Sequence, residues 1–317
     1  MSTTLEPQPD VEATTSDTAT ERLRLTMAAC KLSFNWFGTT KSLSDDQKAT
    51  VADSFGADRE VLSAGKRLLN TKHPAWKNVS SLKSRMNSYW KGETLPFPLP
   101  GVRLIRQDGI EGFNDRMLSF EAELSEAVES LDEVYGQLKD SACQRLGQLF
   151  NASDYPASLV GLFSVFWTFP SIEVPDYMRR LRPDLYRQEA DRVARRFDEA
   201  LEMAETAFVD ELHHLVEHLT ERLTGEDDGK PKVFRDTAVT NLHDFFDRFR
   251  RLNVRSNEDL DSLVDACQQI VSGRTAQSLR ENRLVRDTVA SELQEVGGRL
   301  DNLLVDRPRR NLIRKAR

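Results

Sequence analysis

Apolar residues recur in the middle of the chain at unbroken steps of four and three residues. The series is Phe113, Met117, Phe120, Leu124, Ala127, Leu131, Val134 and Leu138. Such steps place side chains on one face of a helix, and about four heptads without a break are typical of a coiled-coil seam. A helix that covers a globular core more often has a stripe that widens or drifts. The pattern therefore favours a long coiled-coil arm over an ordinary bundle helix.

A second apolar series with the same spacing follows downstream. It runs from Tyr186 to Ala204 and, after a stutter, from Phe208 to Leu223, where the polar stretch TGEDDG ends the predicted helix. Two long helices of similar length joined by a compact segment are typical of an antiparallel hairpin. We therefore predict a coiled-coil hairpin over residues 111–228. The heptads leave open whether its seam closes within one chain or between two.

The segment between the two series, at about 151–184, is rich in aromatic residues and prolines. It is predicted to form a compact head on the hairpin, and its large apolar side chains are expected mainly in the core of that head. These side chains are Phe163, Phe166, Trp167, Phe169, Tyr177 and Met178. Any that are exposed instead would anchor a protein partner, because aromatic residues carry much of the binding energy at interfaces. The partner-binding candidates are Phe166, Trp167, Phe169 and Tyr177.

The region before the first series, residues 22–110, has a mixed pattern. Apolar and polar residues alternate from Leu32 to Trp36, which predicts a strand, and residues 102–105 predict a second short strand beside it. The helices predicted between the two strands lie at 44–55, 58–69 and 78–90. Ser44 and Asn78 are the predicted N-caps of the first and the last. This region is predicted to be a small α+β cap, and the acidic, Ser/Thr-rich residues 1–21 before it a disordered tail.

After the hairpin, residues 229–306 predict three further helices that pack back along the arm. These helices are expected at about 232–252, 257–272 and 275–305. Ser256 stands where an N-cap belongs, and Gly273 where a helix C-terminal glycine belongs. The predicted fold class is therefore mostly α: a long antiparallel coiled-coil hairpin with a compact head and a small N-terminal α+β cap.

Composition narrows the choice of function. The 317 residues include 44 Lys and Arg against 51 Asp and Glu, a net charge of −7, which argues against a protein that coats nucleic acid over its whole surface. The cysteines, Cys30, Cys143 and Cys267, have no paired spacing, so neither a disulfide framework nor a zinc ribbon is expected. The most apolar run, LVGLFSVFWTF, is about half the length that a membrane span requires, and no signal peptide is recognised. A cytoplasmic protein without contact to a membrane is expected.

The stretch HHLVEH contains His214, Glu217 and His218 in the order of an inverted zinc-protease motif. On a helical wheel, both histidines lie on the side opposite the apolar seam. A catalytic zinc needs three protein ligands and a shaped pocket, and this pair supplies two ligands on a polar face. A third ligand from Glu292 or Glu295 is conceivable. A solvated helix face is the favoured interpretation, and a zinc-dependent hydrolase is the alternative. Motifs for nucleotide binding and for nucleophilic catalysis are absent from the sequence, so neither a cofactor nor an enzymatic reaction is expected.

The last residues, 307–317, are strongly basic. With Asp306 they carry six basic residues against one acidic residue, a net charge of +5. The basic residues are Arg307, Arg309, Arg310, Arg314, Lys315 and Arg317. Such a cluster can bind the phosphates of nucleic acid or an acidic partner. It can also fold onto the acidic surface of the same chain or complement the dipole of the last helix.

Several segments together resemble an uncharacterised family of bacterial proteins, often found on phages, plasmids and integrative elements and grouped as a domain of unknown function. The segments are LSFNWFGTTKSL, KRLLNTKHPAWKNVSSLKSRMNSYW, LPFPLPGVRLI, DYPASL and VPDYMRRLRPDLY. The resemblance covers residues from about 23 to 225. It implies association with a MoxR-type AAA ATPase and a von Willebrand-type partner, and it carries over no functional residue because none is defined.

The sequence therefore predicts a non-enzymatic scaffold or adaptor protein of a mobile-element or phage complex, with an AAA ATPase as the implied partner. The alternative from a different class is a nucleic-acid-binding accessory protein that uses the basic C-terminal residues.

Overall fold

The computed structural model describes residues 15–224 and 236–305. In these residues the protein is mostly helical, as predicted. The helices are α1 (Thr15–Thr26), α2 (Asp45–Phe55), α3 (Pro74–Gly92), α4 (Ile110–Glu133), α5 (Tyr135–Leu146), α6 (Asp176–Leu181), α7 (Pro183–Thr224), α8 (Thr237–Leu252), α9 (Glu258–Val271), α10 (Ala276–Glu281) and α11 (Arg283–Val305). The strands are β1 (Met27–Asn35), β2 (Thr40–Ser42), β3 (Gly65–Arg67), β4 (Thr94–Pro96), β5 (Val102–Arg106) and β6 (Ser164–Thr168).

The chain divides into two compact units, and neither unit is one continuous stretch. The mixed unit comprises Ala29–Glu93 and Gly101–Pro170. The helical unit comprises Met1–Ala28, Thr94–Pro100 and Ser171–Arg317. This division differs from the predicted boundaries at residues 110 and 228, because strand pairing joins segments of the mixed unit that are far apart in sequence.

Within the mixed unit, three neighbouring strands of a sheet follow the order β5-β1-β6. The strands β1 and β6 run antiparallel, and Leu32 is opposite Trp167 while Ser33 is opposite Phe166. Successive residues of a strand point to opposite faces, so one face of this ribbon carries Leu32 and Trp167 and the other carries Ser33 and Phe166. Leu32 is buried and Ser33 is exposed, which shows that the first of these faces is directed to the interior.

Helices α3 and α4 form the helical layer of the mixed unit and pack against each other. Tyr89 of α3 stacks on Phe113 of α4 with ring centroids 5.6 Å apart, and it meets Phe120 edge-on at 5.8 Å. Phe113 and Met117 are almost completely buried. The regular apolar spacing of α4 is therefore explained by contacts with a neighbouring helix and the sheet of the same unit.

A buried ion pair ties the two-stranded β2–β3 ribbon to the chain just before β6. Lys66 of β3 lies with its Nζ 2.7 Å from Asp154 Oδ2, and both side chains are about 95% or more buried. Lys66 also donates a hydrogen bond to the carbonyl oxygen of Leu149. The more exposed Lys41 places its Nζ 2.5 Å from Asp154 Oδ1. These hydrogen bonds, first from Lys41 and then from Lys66, lower the pKa of Asp154. The carboxylate is therefore held in its charged form.

Helix α7 is the central element of the helical unit. The helices α11, α8 and α1 pack against it, and α9 packs against α8 and α11. Phe208 of α7 meets Phe245 and Phe249 of α8 edge-on at centroid distances of 6.2 and 5.0 Å. Arg248 and Glu211 form an ion pair beside these rings. The apolar stripe predicted along α7 is buried as expected at Val193, Phe197, Ala200, Ala204, Phe208, Leu212, Leu219 and Leu223.

The N-terminal helix α1 corrects the prediction of a disordered tail up to residue 21. Leu23 and Ala19, four residues apart on one face of α1, are completely buried, and α1 packs on α7. Arg22 donates hydrogen bonds to the carbonyl oxygens of Val254 and Arg255. The burial of Ala19 and Leu23 and the hydrogen bonds of Arg22 hold this helix in place although its sequence is mainly polar. Residues 1–14 lie outside the described part of the chain.

The structure does not confirm a long coiled-coil hairpin. The first predicted arm ends at Glu133, and Val134 separates α4 from α5. In the mixed unit α4 has α3 as its helical neighbour, and in the helical unit α7 has α11 and α8. The predicted head at 151–184 is likewise divided, with residues up to Pro170 in the mixed unit and Ser171 onward in the helical unit. Each apolar stripe is buried by neighbours within its own unit.

Several local predictions are confirmed and others are wrong. Ser44 caps α2 in a capping box with Gln47, and Gly273 has the positive φ expected after a helix. The predicted helix at 58–69 is instead the 3-10 turn Arg59–Val61 followed by β3, whose backbone pairs with β2. The helix predicted from Asn78 begins at Pro74 with His73 as N-cap. The cap of α9 is Asn257, whose side chain accepts a hydrogen bond from the Leu260 N–H.

Candidate interaction surfaces

An apolar stripe lies exposed on α6 and the first turn of α7 in the helical unit. Tyr177, Leu181 and Leu185 follow one another at steps of four residues, and their exposed fractions are 63%, 73% and 42%. Within α6 the step of four from Tyr177 to Leu181 places both side chains on one helical face. Leu185 belongs to the next helix, because the backbone of Arg182 between them is not helical, with φ −146° and ψ 80°. The structure corrects the expectation that Tyr177 lies in a core, since α6 presents it to solvent.

Three arginines occur in the same short segment as this stripe. Arg179, Arg180 and Arg182 are exposed, and none forms an ion pair with a residue in the described ranges 15–224 and 236–305. Arg187, further along α7, is by contrast paired with Asp184 at 2.7 Å. We call the exposed stripe and these arginines the α6 patch, defined by Tyr177, Arg179, Arg180, Leu181, Arg182 and Leu185.

The chain around the α6 patch is fixed by a proline at each end and by an ion pair. Pro175 is the N-cap residue of α6 and Pro183 is the first residue of α7. Proline lacks an N–H and favours the first turn of a helix, so Pro183 starts a new helix where α6 ends. Just before α6, Arg24 of α1 donates two hydrogen bonds to Glu173, which lower the pKa of Glu173. The α6 patch is therefore presented by an anchored segment.

A second exposed aromatic residue lies in the mixed unit. Phe166, at the centre of β6, is 56% exposed on the outer face of the sheet. The neighbouring side chains on that face, Lys31, Ser33 and Asn35, are also exposed. The prediction that Phe166 belongs to a core is therefore wrong. Side chains alternate along a strand, so Phe166 lies on the opposite face of the sheet from Val165 and Trp167.

The other two aromatic candidates are mainly structural. Trp167 faces the helices, and its indole N–H donates a hydrogen bond to Asn114 of α4 at 3.0 Å. Phe169 is 38% exposed and its ring meets Phe113 edge-on at 6.4 Å. Phe163 is buried, as predicted for a core residue. Of the four candidates for partner binding, Phe166 and Tyr177 therefore have the most accessible rings.

The HHLVEH stretch lies on α7 with His214 and His218 directed away from the core. His214, Glu217 and His218 are exposed, and the two imidazole ring centroids are 6.5 Å apart. No cluster of three or more metal-ligating side chains occurs within residues 15–224 and 236–305. Glu292, considered as a third ligand, is paired with Arg274 at 3.4 Å. The neighbouring His213 forms a hydrogen bond with Asp301 of α11, so this stretch also contributes to the contact between α7 and α11.

The basic cluster Arg307, Arg309, Arg310, Arg314, Lys315 and Arg317 lies outside the described residues. A role for it stays a prediction from the sequence. Among the helices that the structure describes, none has the combination of length and apolar character required to cross a bilayer.

Sequence analysis singled out Tyr177 but missed the arginines beside it and Leu181. The signal was present in DYMRRLRPDLYR, where apolar residues at steps of four alternate with arginines. The aromatic content of the segment alone predicts a packed head. The buried pair of Lys66 and Asp154 was also missed, because residues 88 positions apart carry no local signal of contact.

Comparison with known proteins adds no relative: no family model, no curated protein and no solved structure matches this chain.

Proposed function

We propose that this chain is a cytoplasmic, non-enzymatic scaffold or adaptor protein that docks a partner protein at the α6 patch. The observation that carries the proposal is the exposure of Tyr177 and Leu181 beside three arginines without an acidic partner in the described residues. A large apolar side chain gains about 1.5–3 kcal/mol when it is fully buried, so an exposed stripe of this kind favours association.

The chemistry of the patch favours a partner segment that is both acidic and apolar. Tyrosine and arginine are enriched among the residues that dominate protein interfaces, and Leu181 and Leu185 offer aliphatic surface between the charges. Aspartate or glutamate on the partner would pair with Arg179, Arg180 and Arg182. A guanidinium forms two parallel hydrogen bonds with one carboxylate, which gives orientation as well as attraction.

The resemblance to the mobile-element family supports an AAA ATPase complex as the setting. It implies a MoxR-type ATPase and a von Willebrand-type protein as companions, and an adaptor between them needs a docking surface rather than a catalytic centre. This proposal does not require a coiled-coil hairpin, because the α6 patch lies within the helical unit alone.

The test is co-purification of defined partners with the tagged full chain from its native host after nuclease treatment. Tyr177→Ala combined with Leu181→Ala is expected to reduce the recovered ATPase or von Willebrand-type protein at least tenfold, since loss of an interface anchor costs about 2 kcal/mol or more. The matched control is Leu284→Ala, which removes a leucine that is 80% exposed at the start of α11.

A second readout is salt dependence. Arg179→Ala combined with Arg180→Ala is expected to weaken binding most at low ionic strength, because exposed charge pairs are screened by salt. Unchanged recovery of the ATPase in both double variants would reject the α6 patch as the docking surface. Recovery of no defined protein at all would reject the adaptor function.

A nucleic-acid-binding function remains the second candidate because of the six basic residues in 307–317. Fluorescence polarisation with a labelled DNA duplex would compare the full chain with a chain ending at Asp306. If the tail binds phosphates, truncation abolishes measurable binding and the full chain loses affinity steeply as salt rises. Equal affinity of both chains would eliminate this candidate.

A further inference from the structure

The strand β6 has an outer edge that no strand of the described residues covers. It is the terminal strand in the order β5-β1-β6, and among the described residues no other strand pairs with its outer side. Proteins commonly protect such edges with charged side chains or with a bulge, because the free N–H and C=O groups can pair with another chain. β6 has neither, since residues 155–172 contain no charge and all five residues of β6 are in unbroken register with β1.

The side chains of β6 add a second reason for association. Phe166 projects from the outer face of the sheet among polar residues and is 56% exposed. An edge strand that lacks charge and carries an exposed aromatic residue is suited to pair with a strand of similar character. A strongly charged partner strand would gain no ion pair at this edge.

The sequence of β6, Ser-Val-Phe-Trp-Thr, places compatible residue types opposite each other when two copies run antiparallel. In an antiparallel pair centred on Phe166, Ser164 is opposite Thr168, Val165 is opposite Trp167 and Phe166 is opposite Phe166. Hydroxyl pairs, aromatic pairs with β-branched residues and aromatic pairs are each favourable across antiparallel strands. No like charges meet in this register.

We propose that β6 pairs with β6 of a second copy of this chain and forms a two-fold symmetric dimer through a continuous sheet. The arrangement is isologous, because each copy contributes the same strand in the same register. A strand of five residues is about 17 Å long, so the pairing buries less than the roughly 1,200 Å² typical of stable complexes. The dimer is therefore weak and forms reversibly. This inference is independent of the α6 patch.

Sedimentation velocity of the full chain over a range of concentrations is the first test. The wild-type chain is expected to change reversibly from monomer to dimer as concentration rises. Phe166→Lys would place two like charges opposite each other at the centre of the pair and weaken the dimer at least about tenfold. Ser33→Lys is the matched control, because Ser33 is on the same sheet face directly beside Phe166 but in the inner strand β1. Loss of the dimer in both variants would indicate packing between sheet faces and would overturn pairing at the edge.

Cross-linking tests the register. In a pair centred on residue 166, the two Cα atoms lie about 4.5–5.5 Å apart, within the range of a disulfide. Phe166→Cys, in a chain where the exposed Cys143 is replaced by serine, is expected to form a disulfide-linked dimer under mild oxidation by copper phenanthroline. Thr168→Cys is the control, because its two copies would lie about 14 Å apart. A monomer at every concentration together with absence of the Phe166→Cys cross-link would overturn the proposal.

Discussion

The two compact units differ in what surrounds their central helix. In the mixed unit α4 packs against α3 and β6, and the same unit contains the buried ion pair of Lys66 and Asp154. In the helical unit α7 is surrounded by helices, with Phe208 set among the aromatic rings of α8. The same spacing of apolar residues is thus used once in a layered α/β arrangement and once in a helix bundle. A helical stripe specifies that one face must be buried and leaves the kind of neighbour to the rest of the chain.

The two units can be observed separately. All four tryptophans, Trp36, Trp76, Trp90 and Trp167, lie in the mixed unit, so tryptophan fluorescence reports on that unit. Far-UV circular dichroism is dominated by helices and includes the long α7 of the helical unit. Denaturation followed by both signals therefore compares the units in one experiment.

The largest effect is expected from matched cavities in the two cores. Phe113 of α4 and Phe197 of α7 are each 1% exposed, and replacing either by alanine removes the same side-chain atoms. Each substitution should destabilise the protein by about 3–5 kcal/mol. Phe113→Ala is expected to shift the fluorescence transition more than the dichroism transition, and Phe197→Ala the reverse. Identical shifts of both signals in both variants would contradict separate cooperative units.

The next largest effect is expected at the buried ion pair of Lys66 and Asp154 in the mixed unit. Asp154→Ala leaves Lys66 buried, with the carbonyl oxygen of Leu149 as its remaining partner. Removing one member of a buried pair destabilises by about 3–5 kcal/mol, and we expect the lower end because that hydrogen bond remains. The measurement is the midpoint of urea unfolding followed by fluorescence. Lys41→Ala is the control, since Lys41 is 54% exposed and should change stability by less than about 1 kcal/mol.

Lowering the pH should destabilise the mixed unit more than the helical unit, but by less than the substitutions described above. The hydrogen bonds from Lys41 and Lys66 hold the pKa of Asp154 below its ordinary value. The resulting stabilisation is present above the unfolded-state pKa of about 4 and is lost as pH falls through the lower folded-state value. Glu173 in the helical unit has a pKa lowered by Arg24 in the same sense, but its side chain is 47% exposed and contributes less. Fluorescence should therefore report a loss of stability below about pH 4 that Asp154→Asn reduces. An unchanged acid profile in Asp154→Asn would contradict this origin.

The sequence predicted which faces are buried better than it predicted which elements pack against them. The apolar series of α4 is buried from Phe113 to Leu131, and the strand at Leu32 and the cap at Ser44 are present. These features depend on the residues of one segment. The pairing of β1 with β6 joins Leu32 to Trp167, and the ion pair joins Lys66 to Asp154. Contacts over such sequence separations leave no periodic signal. Two apolar stripes with matching spacing therefore predict a hairpin between α4 and α7 that the structure does not confirm.

The candidate surfaces were predicted only in part for a related reason. An aromatic residue in an apolar run resembles a core residue whether its strand has one buried face or two. The alternation that exposes Phe166 becomes visible only when the register with β1 is known. Tyr177 is exposed because α6 has six residues and presents its apolar stripe to solvent, which composition alone does not reveal.

The smallest effect is expected on the solvent side of α7. His214→Ala and His218→Ala remove exposed side chains, so each should change stability by no more than about 0.5 kcal/mol. Leu212→Ala, two residues before His214 on the buried side, should instead cost about 2–5 kcal/mol. The same variants test the zinc motif. The purified chain is expected to retain no stoichiometric zinc after dialysis, because two exposed imidazoles offer neither a third ligand nor a dry pocket. One retained zinc that is lost in His214→Ala would contradict this expectation, because it would show that the exposed face of α7 binds metal.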